Sequence, residues 1–277
     1  MQLHATKYAK GSLSAEGSLP VKDSLPIEES TPIIILHGLF GSNRNWHPIA
    51  RSLSDKHTVY SLDLRNHGKS PHSAAMDYHH MAEDVLAFIK NEVNHNQIRP
   101  VNIIAHSMGG KAAMWLALSH PEVIAKLVVV DIAPVTYEHD FSEVLNAFES
   151  VPLELIQSRQ DAEKYLAQTI GQGSLRQFLL QNLQFKDGKY TWRLNLTAII
   201  HSITDITGFP DTKDIKPFPG RVLFIGGGQS DYLNKANQAL TRALFPKASF
   251  SMIKPGGHWL HAEQPGLFKA LVEPYFS

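Results

Sequence analysis

The stretch Val101-Asn-Ile-Ile-Ala-His-Ser-Met-Gly-Gly110 decides how this chain folds. A strand-forming run leads into Ser107, and the following Lys-Ala-Ala-Met-Trp-Leu-Ala-Leu is typical of a helix. A strand that turns abruptly into a helix strains the backbone of the residue at the apex and leaves its side chain exposed. The two elements then approach so closely that Ala105, Gly109 and Gly110 must be small. This pattern indicates a nucleophile elbow with alanine in place of the first glycine. An ordinary strand–helix turn carrying a serine also fits, so the rest of the chain must distinguish the two.

The composition is that of an ordinary globular protein and excludes several classes of function. The 277 residues fit one large α/β domain, with or without an insertion. Lys plus Arg and Asp plus Glu both number 26, so the formal charge of zero gives no electrostatic reason to expect nucleic acid or an anionic membrane as a partner. The absence of cysteine excludes disulfides, thiolate catalysis and cysteine-ligated metals.

The N-terminal sequence Met1-Gln-Leu-His-Ala-Thr-Lys-Tyr8 has no long apolar run of the secretory kind. No stretch of the sequence reaches the length of a transmembrane helix. We therefore expect a cytoplasmic protein without a membrane partner, and the sequence leaves its oligomeric state undetermined.

Short apolar strands alternate with amphipathic helices along most of the chain. The pattern predicts a short strand over residues 2–8 and a loop over residues 11–31. Buried strands are predicted over residues 33–36, 58–62, 127–130 and 221–226, and further strands over residues 101–106 and 248–253. Helices are predicted near residues 46–53, 78–93, 108–118, 234–244 and 265–276. This alternation predicts an α/β fold with a mainly parallel sheet covered by helices on both faces.

Residues 135–215 interrupt the alternation. Their apolar residues recur at helical spacing, Asp187-Gly188 is typical of a hairpin turn, and Asn195 is suited to cap a further helix. We interpret this segment as a helical cap inserted between two sheet strands, with residues 1–134 and 216–277 forming the core. Phe148 and Phe178, on its apolar faces, are candidates for contacting a substrate.

Four motifs occur in an order that resembles the α/β-hydrolase superfamily over essentially the whole chain. Beside the elbow, they are His37-Gly-Leu-Phe-Gly-Ser42, Asp63-Leu-Arg-Asn-His-Gly68, Asp131-Ile-Ala-Pro134 and Gly257-His-Trp-Leu-His-Ala-Glu263. In these motifs the chain is most similar to the bacterial YbfF-type esterases and their mitochondrial relatives, which are serine esterases with a small helical cap. The joint occurrence of the motifs is far more specific than any one of them.

The resemblance implies a Ser-His-acid triad in which Ser107 is the nucleophile and His258 its general base. A serine hydroxyl is a weak nucleophile at neutral pH and needs a base to take its proton. Gly256 and Gly257 allow the tight loop that such a histidine requires. His106 points away from the direction of its neighbour Ser107, so we expect it to serve in packing.

Two aspartates are candidates for the acid of the triad. Asp231 lies just past the predicted strand over residues 221–226, which is the usual position of the acid in this superfamily. Asp131 directly follows the strand over residues 127–130, and some members of the superfamily take the acid from there. We favour Asp231 and keep Asp131 as the alternative.

The resemblance also places the oxyanion hole on two backbone N–H groups, those of Met108 and Leu39. We expect His37, Arg65 and His67 to order turns through hydrogen bonds. The sequence has no His-Glu-x-x-His segment, and we expect no metal and no cofactor.

The function implied is that of a serine hydrolase which cleaves small-molecule acyl esters or thioesters through an acyl-enzyme. The apolar cap suggests an acyl chain or another hydrophobic group on the substrate. A carbon–carbon bond hydrolase or lyase of the same fold is an alternative, because the triad does not name the bond that is cleaved. A ligand-binding protein that keeps the fold without turnover is a second alternative.

Overall fold

A seven-stranded sheet lies at the centre of the computed structural model, which describes residues 1–10, 30–95 and 99–277. The predicted loop over residues 11–31 falls, up to residue 29, outside the described residues. The sheet strands are β1 Ala5–Tyr8, β2 Ile33–Leu36, β3 Val59–Leu62, β4 Val101–His106, β5 Ile124–Val130, β8 Val222–Gly227 and β9 Ala248–Ile253, and a separate hairpin is formed by β6 Leu183–Lys186 and β7 Lys189–Trp192. The order in the sheet is β1-β3-β2-β4-β5-β8-β9, with only β1 antiparallel to its neighbour.

Helices cover both faces of this sheet, as the alternation of the sequence predicts. The α-helices in the described part of the chain are α1 His47–Leu53, α2 Tyr78–Phe88, α3 Met108–Ser119, α4 Ser142–Ser150, α5 Arg159–Leu166, α6 Gly173–Leu180, α7 Leu196–His201, α8 Ile203–Thr207, α9 Lys235–Leu244, α10 Leu260–Glu263 and α11 Pro265–Phe276. α1, α10 and α11 pack on one face, and α2 and α3 pack on the other. Within the described ranges, no helix is both long and apolar enough to cross a membrane.

The central strands are apolar at every position because both of their faces are covered. In β2, Ile34 and Leu36 join the core on the side of α2 and α3, whereas Ile33 and Ile35 join the core on the side of α1 and α11. All four side chains are fully buried. An apolar run without alternation is therefore the expected sequence of a strand between two helical layers.

The segment between β5 and β8 contains α4 to α8 and the β6–β7 hairpin. Asp187 and Gly188 form the hairpin turn with φ values of 51° and 79°, which the Asp-Gly pair adopts readily. The Asn195 side chain accepts a hydrogen bond from the Ala198 N–H and caps α7, as predicted. Leu145 and Leu179 of this segment belong to the same hydrophobic core as the helices of the sheet.

The structure differs from the predicted elements at several places, the first being β1, which begins at Ala5 and not at residue 2. The α-helix predicted over residues 78–93 ends at Phe88, and a π-helical turn follows over Ile89–Val93. The fifth strand begins earlier, at Ile124, and the helix after Asn195 is interrupted at Ser202. The short helix α10 was not predicted, because four residues are too few for a periodic signal.

Helix α3 approaches the sheet closely at the two glycines of the elbow. A Cβ on Gly109 would lie 2.4 Å from the His37 carbonyl oxygen, and one on Gly110 would lie 2.6 Å from Ile132 Cγ2. Real Cβ atoms do not approach other atoms so closely, so the prediction that these positions must be small is confirmed.

We expect Gly109→Ala to lower the free energy of unfolding by about 1–3 kcal/mol, because the added methyl group forces α3 away from the end of β2. Gly266 is a matched control, since it is also the second residue of a helix and no atom lies within 4 Å of its added Cβ. Gly266→Ala should instead raise that free energy by about 0.5–1 kcal/mol. Urea denaturation of the two variants makes the comparison, and equal effects would contradict the close-packing argument.

Candidate active site

Ser107 lies at the apex between β4 and α3 in a strained backbone conformation. Its φ is 52° and its ψ is −121°, a region that residues other than glycine rarely adopt. The Ser107 N–H donates to the Val130 carbonyl of the neighbouring strand at 3.0 Å, which anchors the apex to the sheet. The elbow inferred from the sequence is therefore present in the backbone, and the hydroxyl faces a cleft.

The side chains of Ser107, His258 and Asp131 form a hydrogen-bonded chain. Ser107 Oγ lies 3.0 Å from His258 Nε2, and His258 Nδ1 lies 2.7 Å from Asp131 Oδ2. A neutral imidazole with its proton on Nδ1 satisfies both contacts, since Nδ1–H donates to the carboxylate and Nε2 accepts from the hydroxyl. These are the contacts that a nucleophile, a base and an orienting acid require.

The preference for Asp231 as the acid is corrected by this geometry, which places the alternative, Asp131, against His258. Asp131 directly follows β5, the neighbour of the elbow strand β4, so its carboxylate reaches the same end of the sheet as Ser107. Asp131 is fully buried, whereas Asp231 is exposed in the loop after β8. Both aspartates follow strands that end at this edge, so their positions in the sequence did not distinguish them.

The loop after β8 supports Asp131 through two hydrogen bonds. The Gly227 N–H donates to Asp131 Oδ1 at 2.8 Å, and the Ser230 hydroxyl donates to Asp131 Oδ2 at 2.5 Å. Together with the His258 contact, these bonds hold both carboxylate oxygens in place. Sequence reasoning missed Ser230, although it directly precedes the favoured Asp231.

His106 fixes the backbone of the histidine loop. Its Nε2–H donates to the His258 carbonyl at 2.8 Å, and its ring centroid lies 4.6 Å from that of His258. Burial, and then the charge of His258, keep the pKa of His106 well below its usual value, so it stays neutral. The Glu263 carboxylate also holds this loop, because it accepts a hydrogen bond from the Gly257 N–H at 2.5 Å. His106 thus packs against His258, as predicted, and also holds it.

The loop that carries Leu39 is held by two buried histidines. His37 Nδ1–H donates to the Gly38 carbonyl at 2.8 Å, and its Nε2 accepts from the Leu64 N–H at 3.0 Å. His67 accepts from the Phe40 N–H at 3.2 Å and donates to the Arg65 carbonyl at 2.9 Å. These contacts agree with the expectation that His37 and His67 order turns.

Both of these imidazoles are neutral at physiological pH. Burial lowers the pKa of His37 to about 4 and that of His67, with a further contribution from His37, to about 3. Arg65 orders a neighbouring turn, since its Nε–H donates to the buried carboxylate of Asp84 at 2.7 Å. The Leu39 loop is therefore fixed without charge on the histidines nearest to it.

A narrow cleft opens beside Ser107. Leu39 and Met108, whose N–H groups are the predicted oxyanion donors, both line it. Met108 is the first residue of α3, so its N–H has no partner within the helix. The other lining residues are mostly apolar or aromatic: Tyr78, Lys111, Ile132, Tyr137, His139, Phe141, Ile206, Thr207 and Tyr232.

Lys111, one of the residues that line the cleft, is buried. Its Nζ donates to the Thr207 carbonyl at 2.7 Å and to the Gly208 carbonyl at 2.6 Å, and it lies 4.8 Å from the centre of the Tyr137 ring. Burial lowers the pKa of Lys111 to about 7. Thr207 and Gly208 lie near the end of the segment over residues 135–215. The two hydrogen bonds from Lys111 therefore connect that end of the segment to helix α3. Nothing in the sequence pattern marked this lysine.

Phe148 and Phe178, the candidates for contacting a substrate, do not line the cleft beside Ser107. Phe148 is 1% exposed and packs against Phe40 and Trp192 at 5.4 and 4.9 Å between ring centroids. Phe178 packs against Trp259 at 5.6 Å. From the same segment, Phe141 and Ile206 line the cleft instead. Helical spacing identifies an apolar face but does not say whether that face covers a core or a cleft.

The family model for the α/β hydrolase fold matches residues 31–265. This chain belongs to the α/β-hydrolase fold family. It is 40% identical to the sn-1-specific diacylglycerol lipase ABHD11 of Danio rerio over 84% of this chain and 74% of the relative. It is 36% identical to esterase YbfF of Escherichia coli over 88% of this chain and 92% of the relative. The resemblance inferred from the motifs is confirmed.

A solved structure of a marine microorganism esterase has the same fold throughout. The two superpose with a TM-score of 0.88 at 36% identity, covering 99% of each chain. Among the residues that the structure describes, no group of three or more His, Asp or Glu side chains is arranged to hold a metal ion.

Proposed function

We propose that this protein is a serine hydrolase that cleaves carboxylic esters or thioesters of small molecules. The observation that carries the proposal is the continuous hydrogen-bonded chain from Ser107 Oγ through His258 to Asp131 Oδ2. Relatives with the names esterase and lipase, at 36–40% identity over most of the chain, support the same chemistry.

In the proposed reaction Ser107 Oγ attacks the carbonyl carbon of the substrate while His258 Nε2 takes its proton. The imidazolium that forms is stabilised by Asp131 through Nδ1–H. The negative charge on the former carbonyl oxygen would be met by the N–H groups of Leu39 and Met108. Collapse of the tetrahedral intermediate breaks the bond to the leaving oxygen or sulfur, which receives the proton from Nε2. Water then attacks the acyl-enzyme by the same route and regenerates Ser107.

The lining of the cleft supports a substrate with an apolar acyl group. Leu39, Ile132, Phe141 and Ile206 offer hydrocarbon and aromatic surface close to Ser107. Phe141 and Ile206 belong to the segment over residues 135–215, which we propose acts as a cap on a core formed by residues 1–134 and 216–277. Burial of apolar surface then contributes to binding, by about 0.8 kcal/mol for each buried methylene group.

The first test is covalent labelling of Ser107 by a fluorophosphonate, because only an activated serine attacks phosphorus readily. Intact-protein mass should show one adduct on the native chain and none on Ser107→Ala, which should also lose nearly all ester hydrolysis. Ser142→Ala, at the start of α4, is a control that should label normally. An adduct that persists on Ser107→Ala would remove Ser107 from the mechanism.

The second test separates the two aspartates. Asp131→Asn keeps the shape of the side chain but favours the wrong histidine tautomer, a change that costs roughly 10⁴ in kcat in a serine protease, or about 5.5 kcal/mol of barrier. We expect a loss of that order for Asp131→Asn and less than about twofold for Asp231→Asn, because Asp231 is exposed. Steady-state kinetics on one chromogenic ester decide it; a crippled Asp231→Asn variant would reverse the assignment.

The third test asks which residues select the acyl group. Phe141→Ala and Ile206→Ala widen the cleft and should shift relative kcat/KM towards longer acyl chains in a series of p-nitrophenyl esters, by up to about 15-fold for each added pair of fully buried methylenes. Phe148→Ala, in the packed interior, should lower stability by about 3–5 kcal/mol and leave the preference profile unchanged. Identical profiles for all three variants and the native enzyme would contradict the role of the cap in selectivity.

A further inference from the structure

The Tyr232 ring stacks against two imidazole rings, one of which is that of His258. The Tyr232 ring lies 4.4 Å from the His258 ring between centroids, with an angle of 27° between their planes. The His139 ring also stacks on Tyr232, with 4.7 Å between centroids and 29° between planes. Tyr232 follows β8, whereas His139 comes from the 135–215 segment. The stack therefore joins the cap to the base of the triad.

The position of Tyr232 is fixed by its backbone. The Tyr232 carbonyl accepts from the Tyr137 hydroxyl at 2.7 Å and from Asn237 Nδ2 at 3.0 Å. The Tyr137 hydroxyl in turn accepts from the Ala133 N–H at 2.9 Å, two residues after Asp131. The backbone of Tyr232 is thus held to the same part of the sheet edge as Asp131, which places its side chain next to His258.

The groups around His258 differ in charge and in the part of the imidazole that they contact, and the Tyr232 ring is one of them. Asp131 contacts His258 at the edge of the imidazole, through Nδ1, whereas Tyr232 covers its face. Burial is the main cause that lowers the pKa values of His106, His139 and His261. The pKa of His261 falls to about 3. These three neighbouring imidazoles are therefore neutral at physiological pH. Burial also raises the pKa of Tyr232 to about 12, so its ring is that of a neutral phenol.

We propose that Tyr232 is a positioning residue for His258, whose π face holds the imidazole in plane and stabilises the imidazolium that forms when Ser107 gives up its proton. A cation stacked on an electron-rich ring is attracted by the ring quadrupole. The attraction exists only while His258 is charged, so it acts in the transition state and not in the resting enzyme. This inference rests on the proposed hydrolase function.

The test compares Tyr232→Phe, which keeps the ring, with Tyr232→Leu, which keeps apolar bulk but removes it. On a short p-nitrophenyl acetate substrate, Tyr232→Phe should retain at least about half of the native kcat, and Tyr232→Leu should lose about 3- to 10-fold, mainly in kcat rather than KM. Tyr190→Leu, a half-buried tyrosine on β7 away from the cleft, is the matched control and should behave as the native chain.

The pH profile separates electrostatic stabilisation from simple packing. Because the ring favours the charged imidazole, Tyr232→Leu should move the acid-side midpoint of kcat/KM to lower pH, and Tyr232→Phe should leave it in place. A loss of kcat in Tyr232→Leu without any movement of this midpoint, or equal kinetics for the Phe and Leu variants, would overturn the proposal. If Tyr232→Leu fails to fold, Tyr232→Met provides the same comparison, since its side chain is apolar and flexible.

A failure of the proposed hydrolase function and a failure of the role of Tyr232 give different results. A native chain that neither hydrolyses the ester nor takes up a fluorophosphonate at Ser107 would refute the proposed function. A native chain that does both, with a Tyr232→Leu variant indistinguishable from Tyr232→Phe, would refute only the role of Tyr232.

Discussion

The close contact between α3 and the ends of β2 and β4 is the constraint on which the rest of the site depends. With no side chain on Gly109, the helix lies against the His37 carbonyl, and the backbone must then turn sharply at Ser107. The same contact brings Gly38 so near that a Cβ there would lie 3.1 Å from Ser107 Cβ. The serine and the loop bearing Leu39 are therefore positioned by one packing interface, which is buried and rigid.

Histidine takes two different roles in this small region because its hydrogen-bond partners differ. His258 has a carboxylate on one nitrogen and a hydroxyl on the other, which suits it to exchange protons. His37, His67 and His106 each make hydrogen bonds to backbone groups and are buried. They hold loops in place at a fixed protonation state. The ordering of these loops is completed on folding, so it need not be repeated each time a substrate binds.

The fold, Ser107 and His258 could be predicted from the sequence because each leaves a local signal. Fully apolar strands identify the buried sheet, and the small residues around Ser107 identify the elbow. The carboxylate that contacts His258 has no such local signal, since Asp131 and Asp231 both follow strands that end at one edge. Only the sheet order shows that β5, and hence Asp131, is next to the elbow strand. Ser230, Tyr232 and Lys111 act through tertiary contacts, and no periodicity or spacing in the sequence predicts these.

The buried neutral histidines also couple the fold to proton concentration. An unfolded chain exposes His37, His67, His106 and His261 to water, where each binds a proton near its ordinary pKa, whereas in the native protein their pKa values are lowered, to about 4 for His37 and about 3 for His67 and His261. Unfolding therefore takes up protons once the pH falls below about 6.5, and the free energy of unfolding decreases from there towards the native pKa values. An enzyme that releases a carboxylic acid at each turnover would thus release protons, which lower the stability of its own fold below about pH 6.5.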